Sequence, residues 1–137
     1  MKVELVHQLS EEQVHRLNAL YQNEWWSKGR TLEETRKMLK NTTMIFGLIE
    51  PDTNTLVAFA RVLSDCTFKT LIMDVIVDSK FRGLGLGNKL MNLIRNHPNL
   101  KDSKHFELYC LPHLVPFYKK WEFTDENGDI VFMRSGA

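Results

Sequence analysis

An arginine and three glycines alternate with leucine in Arg82-Gly83-Leu84-Gly85-Leu86-Gly87, directly after an apolar, strand-like stretch from Leu71 to Val77. Helical spacing begins inside the run and continues from Leu86 to Ile94. A glycine-rich turn between a strand and a helix has few uses. Glycine reaches positive φ without the cost of a Cβ and lets a ligand come close to the main chain. The N–H groups of such a turn can converge on one anion, and the positive end of the helix dipole favours it. The backbone of residues 82–87 is therefore the candidate phosphate cradle, with Lys80, Arg82 and Lys89 as local positive charge. The plain alternatives are an ordinary turn that needs glycine for its geometry, and solvated lysines.

The whole chain carries 137 residues, a formal net charge of +1 and two cysteines, Cys66 and Cys110. That length suits one domain, 1–137, with one core. A charge so close to zero builds no strong field, so neither nucleic acid nor an anionic membrane is expected as a partner. No apolar run approaches the length of a membrane span. Two cysteines cannot make a disulfide-rich scaffold, and the N-terminus does not read as a signal peptide, so a cytoplasmic protein with reduced thiols is expected. His105, Cys110 and His113 lack a second matched pair of ligands, which argues against a metal site. Cys110 is expected as a buried strand thiol rather than a nucleophile.

Periodicity orders the chain. Lys2 to His7 alternates as a first strand. Ser10 with Gln13, and Thr31 with Glu34, are capping boxes that open two helices. Val14, Leu17, Leu20 and Tyr21 recur at helical spacing in the first, while Leu32, Met38 and Leu39 give the second a short apolar face. Met44 to Glu50 and Leu56 to Leu63 read as a hairpin around Pro51-Asp52-Thr53-Asn54. After the glycine turn, Leu86, Leu90, Leu93, Ile94 and His97 share one side of a helix that Pro98 stops. His105 to Cys110 is a strand and Val115 to Trp121 a short helix. Phe123, and Ile130 to Arg134 after Glu126-Asn127-Gly128-Asp129, read as a closing hairpin. The order β-α-α-β-β-β-α-β-α-β-β predicts an α/β (α+β) fold with a mixed central sheet flanked by helices.

The glycines do not match the dinucleotide fingerprint G-x-G-x-x-G, since the last position falls on Asn88 or Leu90, and the P-loop form is absent. They do match R-x-x-G-x-G at Arg82, Gly85 and Gly87, preceded by Val75-Ile76-Val77. This pattern resembles the acyl-CoA-binding motif of the GNAT (Gcn5-related) N-acetyltransferases. The element order is similar to that fold along essentially the whole chain. Phe117-Tyr118-Lys119-Lys120-Trp121-Glu122-Phe123 resembles the family's second signature, L/F-Y-x-x-x-G-F, with Glu122 in place of its glycine. Leu111 stands where the family often has an asparagine.

The resemblance implies a GNAT-like acyl-CoA N-acyltransferase fold and acetyl-CoA as co-substrate, with no metal. It implies that residues Arg82, Gly83, Leu84, Gly85, Leu86 and Gly87 hold the pyrophosphate, and that Phe117 and Lys120 face the cofactor. It further implies a bulged strand that splays from its neighbour, where the pantetheine arm pairs with the main chain of Val75 and Val77, and an N–H near Val75 or Ile76 polarises the acetyl carbonyl. Tyr118 would protonate the departing thiolate. Asp74 is the candidate general base; the alternative is a buried carboxylate satisfied by backbone donors or a cation. Glu24 and Glu107 are weaker candidates.

Glu24, Trp25 and Trp26 end the first helix, with Arg30 close behind. Two adjacent tryptophans cannot both face one core from a helix. They form either an acceptor-binding wall suited to a cationic amine or an apolar latch between the helices. The function expected is acetyl transfer to a primary amine, a small molecule rather than a protein, and a homodimer is compatible with it. The alternatives are a non-catalytic acyl-CoA-binding module and a protein-interaction domain.

Overall fold

A computed structural model describes residues 1–136. Five strands form one sheet in the order β1 (Glu4–Val6), β2 (Met44–Glu50), β3 (Thr55–Ser64), β4 (Lys69–Val77) and β5 (His105–Leu108). The first three pairings are antiparallel and β4 runs parallel to β5, so the sheet is mixed. A parallel pair needs a crossover, and helix α3 (Leu86–Asn96) supplies it.

The helices lie on opposite faces because the strands alternate. Leu56 and Phe59 of β3 pack with Leu17, Leu20 and Tyr21 of α1 (Glu11–Gln22). Val57, Ala60 and Val62 pack with Leu90, Met91 and Ile94 of α3. Helix α2 (Leu32–Asn41) lies beside α1 and adds Met38 and Leu39 to the α1 face. Both capping boxes close as expected, with Ser10 Oγ accepting from the Gln13 N–H at 3.2 Å and Thr31 Oγ1 from the Glu34 N–H at 3.0 Å. The buried residues of α1 are the four that periodicity selects, Val14, Leu17, Leu20 and Tyr21. In α3 the buried set includes Met91, which the spacing argument omits, and Leu93 is only half-buried.

The C-terminal part departs from expectation. Helix α4 spans only Val115–Tyr118 and continues as one tighter turn, Lys119–Trp121. Neither Phe123 nor Ile130 to Arg134 forms a strand, although the turn before them is present, with Gly128 at φ 65°. Ile130, Val131, Phe132 and Met133 are exposed, and Phe132 rests on the Tyr109 ring at 4.7 Å. Strand propensity needs a paired neighbour to be realised, and no ladder reaches this segment. Cys110 lies past the end of β5 and is exposed, not buried in a strand.

Glu122 sits at φ 67°, ψ 17°, in the left-handed region at the end of that last turn. This position explains why the resembling signature carries glycine there. A left-handed L-residue costs about 1–2 kcal/mol, and the Glu122 side chain is exposed. Glu122→Gly should therefore raise stability by about 1 kcal/mol, read as a higher Tm in thermal unfolding; an unchanged or lower Tm would refute the assignment.

Candidate active site

Strand β4 opens the site. Its parallel pairing with β5 ends at Ile72 opposite Leu108, so Met73 to Val77 have no strand on that side. On the other side the register against β3 slips between Phe59, opposite Ile76, and Arg61, opposite Met73. Asp74 and Val75 thus stand against Ala60 alone, which makes a β-bulge. Asp74 has φ 55°. The bulge changes which face each residue meets: Ile72 and Val75, three positions apart, both pack towards α3, while Ile76 is buried against α1. The bulged, splayed strand expected from the resemblance is present.

The glycine turn lies at the end of β4. Gly83 and Gly85 have φ 79° and 78°, and Gly85 caps α3 with no side-chain bond. Among the described hydrogen bonds, none uses the N–H groups of residues 83–88. The first N–H groups of a helix have no partner within it, so this is a run of free donors. A cleft of about 320 Å³ faces them, lined by Val77, Phe81, Arg82, Gly83, Gly85, Leu86, Gly87, Asn88, Phe117 and Lys120. It gathers most of the cofactor positions read from the sequence and adds Phe81 and Asn88. Leu84 is exposed outside the lining, and Val75 and Ile76 lie deeper along β4. Asn88 was not legible as a motif position; it accepts a hydrogen bond from Lys120 Nζ at 3.0 Å, which holds that ammonium at the cleft and 4.5 Å from the Phe117 ring. A Cβ on Gly87 would come within 3.3 Å of Phe117 Cζ, so glycine gives α4 its close approach to α3 here and any side chain would have to push the Phe117 ring back.

Tyr118 is buried, and its ring meets Phe117 at 5.0 Å and Phe123 at 6.2 Å. No described residue bonds to its hydroxyl. Burial, with the Cys110 thiol adding, pushes its pKa up to about 12. The phenol thus keeps its proton at neutral pH, as a general acid must. The Cys110 thiol is also raised, by desolvation first and Asp125 second, so it is a poor nucleophile. Among the described residues no three His, Cys, Asp or Glu side chains converge to hold a metal.

Three carboxylate–arginine ties connect the α1 side to β4 and its turn. Arg16 pairs with the buried Asp78, whose carboxylate also caps the Lys80 N–H at 3.0 Å. Glu24 pairs with Arg82 at 3.0 Å. Arg82 therefore reaches the cleft with its charge already shared. Asp74 Oδ2 accepts from Arg30 Nη1 at 2.8 Å, Arg61 Nε at 2.8 Å and the Tyr21 hydroxyl at 2.9 Å. Burial opposes ionisation of Asp74, but the two guanidinium groups outweigh it and hold the carboxyl below its usual pKa. A carboxylate so engaged is a weaker base than a free one, which weighs against Asp74 as proton acceptor.

Glu24, Trp25 and Trp26 do not end the first helix as expected: α1 stops at Gln22 and they lie in the turn after it, split between core and solvent. Trp25 is 72% exposed, whereas Trp26 is half-buried against Tyr21 at 6.1 Å. Arg30 lies over both inner rings, 4.5 Å from Tyr21 and 5.5 Å from Trp26. Those aromatic faces already hold a cation. The free aromatic face beside Glu24 is that of Trp25. Glu107 stands away from this region, on β5 with Lys69 at 3.3 Å.

Because the Asp74 pKa is lower in the folded chain than in the unfolded one, the carboxylate stabilises the fold at pH values above about 4. That contribution disappears as pH falls through the folded value. Asp74→Asn should be clearly less stable than the parent near neutral pH, and the gap in urea midpoint should shrink below about pH 4. A gap that persists unchanged into strong acid would contradict the ion-pair account.

Comparison with known proteins agrees with this geometry. The sequence profile of the acetyltransferase (GNAT) domain matches residues 5–133. An uncharacterized N-acetyltransferase, ycf52 of Pyropia yezoensis, is 35% identical over 115 residues, which is 82% of this chain and 66% of the relative. The chain thus spans just under two thirds of the length of that relative. The crystal structure of a putative GNAT acetyltransferase from Xanthomonas campestris superposes with a TM-score of 0.85 at 26% identity, covering 100% of this chain and 94% of the other. AAC(6')-Iy in complex with a bisubstrate analog, CoA-S-monomethyl-acetylneamine, shares the fold with a TM-score of 0.70 at 12% identity, each chain covered to 100%. A bulged β4 parting from β5, a turn of free N–H groups and a profile match across nearly all residues agree: this chain belongs to the GNAT acetyltransferase family.

Proposed function

We propose that this protein transfers the acetyl group of acetyl-CoA directly to a primary amine within a ternary complex. The observation that carries the reading is the opening between β4 and β5 beyond Ile72, set next to the unpaired N–H groups of residues 83–88. An extended arm can add to an open strand edge by main-chain hydrogen bonds. A pyrophosphate suits the helix N-terminus beside it. AAC(6')-Iy, of the same fold, is described with a CoA-containing ligand.

In this reading the pyrophosphate rests on the turn from Arg82 to Gly87, with Lys120 and Phe117 along the cleft. The pantetheine arm runs along Val75 to Val77. The amine nitrogen attacks the thioester carbonyl, and an N–H near Val75 or Ile76 stabilises the oxyanion. The ammonium first gives one proton to solvent. A C–N bond then forms and the C–S bond breaks, Tyr118 gives its proton to the departing thiolate, and the proton that the nitrogen loses on acylation returns through solvent to the phenolate. The acceptor is a small amine that approaches by Glu24 and Trp25, since the Trp26 face is taken by Arg30. A carboxylate and an exposed indole face attract an ammonium group.

Gly87→Val should abolish acetyl-CoA binding in calorimetric titration, because the added side chain displaces Phe117 and fills the cleft; undiminished affinity would defeat the cradle assignment. Tyr118→Phe should lower kcat by about 10- to 100-fold, the usual range for losing a general acid, while acetyl-CoA affinity stays near that of the parent. Full turnover in that variant would remove Tyr118 from the chemistry. An inactive parent that still binds acetyl-CoA would point to a non-catalytic acyl-CoA module.

A further inference from the structure

Asp74 combines three features. It is the bulge residue of β4, it is a non-glycine at φ 55°, and its side chain is only 6% exposed. The left-handed region costs an L-residue about 1–2 kcal/mol, though aspartate tolerates it better than most. Burying a carboxylate costs more, several kcal/mol unless it is paired and hydrogen-bonded. Both costs fall on one residue in the strand whose last residue, Val77, lines the cleft.

The compensation comes from three distant parts of the chain. Tyr21 lies on α1, Arg30 in the connection to α2, and Arg61 on β3. All three donate to the same oxygen. Tyr21 is fully buried and its own ionisation is strongly suppressed, so it serves as a donor throughout the working pH range. Arg61 is nearly buried and reaches Thr42 with its other arm at 3.5 Å. The arrangement is a clamp with one centre. Its centre is the residue whose conformation sets where the main chain of the next three residues points.

We propose that Asp74 is a positioning residue and not the proton acceptor: through Tyr21, Arg30 and Arg61 it holds the β4 bulge in the conformation that sets the main chain of Val75 to Val77, the edge left open by β5 that leads to the cleft at Val77. The inference rests on the acetyl-transfer reading for its catalytic consequence and on the fold alone for its structural one. A general base needs a lone pair with appreciable proton affinity within reach of the amine. Two guanidinium groups withdraw that affinity from the whole delocalised carboxylate. The same groups make it a strong anchor, since truncating one partner of a buried charge cluster leaves the other charges uncompensated.

The two roles predict opposite results when the carboxylate is kept and its partners are removed. Tyr21→Phe and Arg30→Gln leave Asp74 in place and raise its basicity. A base would gain or keep activity, with the acidic limb of the kcat profile moving to higher pH. A clamp loses alignment: kcat/KM falls about 10- to 100-fold, in line with the cost of a misplacement near 1 Å, KM for acetyl-CoA rises, and the acidic limb stays where it is. Asp74→Asn completes the set, with lower kcat/KM and the limb retained. Amide hydrogen exchange at residues 74–78, measured without ligand, should speed up in all three variants, and Tyr21→Phe is the mildest should the charged variants fold poorly. Full activity in Arg30→Gln, loss of the limb in Asp74→Asn, or unchanged exchange at 74–78 across the set overturns the proposal. If the parent protein neither binds nor turns over acetyl-CoA, the function reading fails, and the exchange measurement still decides the clamp.

Discussion

Asp74 brings a negative charge to a nearly dry position at the bulge of β4, and the rest of the cleft depends on how that charge is met. Without the guanidinium groups of Arg30 and Arg61, several kcal/mol of desolvation would oppose the folded state. With them, the carboxylate ties α1, the α1–α2 connection and β3 to the bulge. The bulge then separates β4 into two parts. Its first half pairs with β5, and its second half is free of β5 and leads straight into the glycine turn. One residue with an unfavourable backbone thus separates structural pairing from a ligand-ready edge.

The other two ion pairs repeat the logic along the same strand and turn. Asp78, held by Arg16, caps the first turn after β4, and Arg82, held by Glu24, fixes the start of the glycine run. All three lie between the α1 side and the β4 side. An exposed pair such as Arg82–Glu24 adds little to stability on its own. Its value lies in where it puts a cation that would otherwise swing freely. The cleft is also closed from the opposite side by a packing constraint, the contact of Phe117 with Gly87. Polar ties on one face and a tight apolar contact on the other leave the N–H groups of the turn exposed in a defined direction.

Much of this was legible in the chain itself. Capping boxes at Ser10 and Thr31 and the spacing of Val14, Leu17, Leu20 and Tyr21 are local signals, and local signals survive tertiary context when burial agrees with them. The glycine turn was legible because positive φ and close ligand approach demand glycine at particular places. Asp74 was visible only as an acidic residue on a strand. Its partners lie 53, 44 and 13 positions away, at separations that no periodicity encodes. Asn88 was missed for a similar reason, since its role comes from Lys120 on another helix. The segment from Ile130 to Arg134 misled in the other direction: its apolar run has the composition of a strand, but pairing is a property of two segments.

The sequence by itself determined where helices start, which faces are apolar, that the sheet is mixed, and that a glycine turn opening a helix follows the third of the central strands. Each of these follows from the covalent and steric character of residues close together in the chain. Tertiary structure alone decided that β4 bulges at Asp74, that it leaves β5 after Ile72, which aromatic faces are already occupied by Arg30, and that the C-terminal apolar run stays unpaired. These depend on energies shared between distant residues, in which the desolvation of one charge is offset by partners brought to it only by folding.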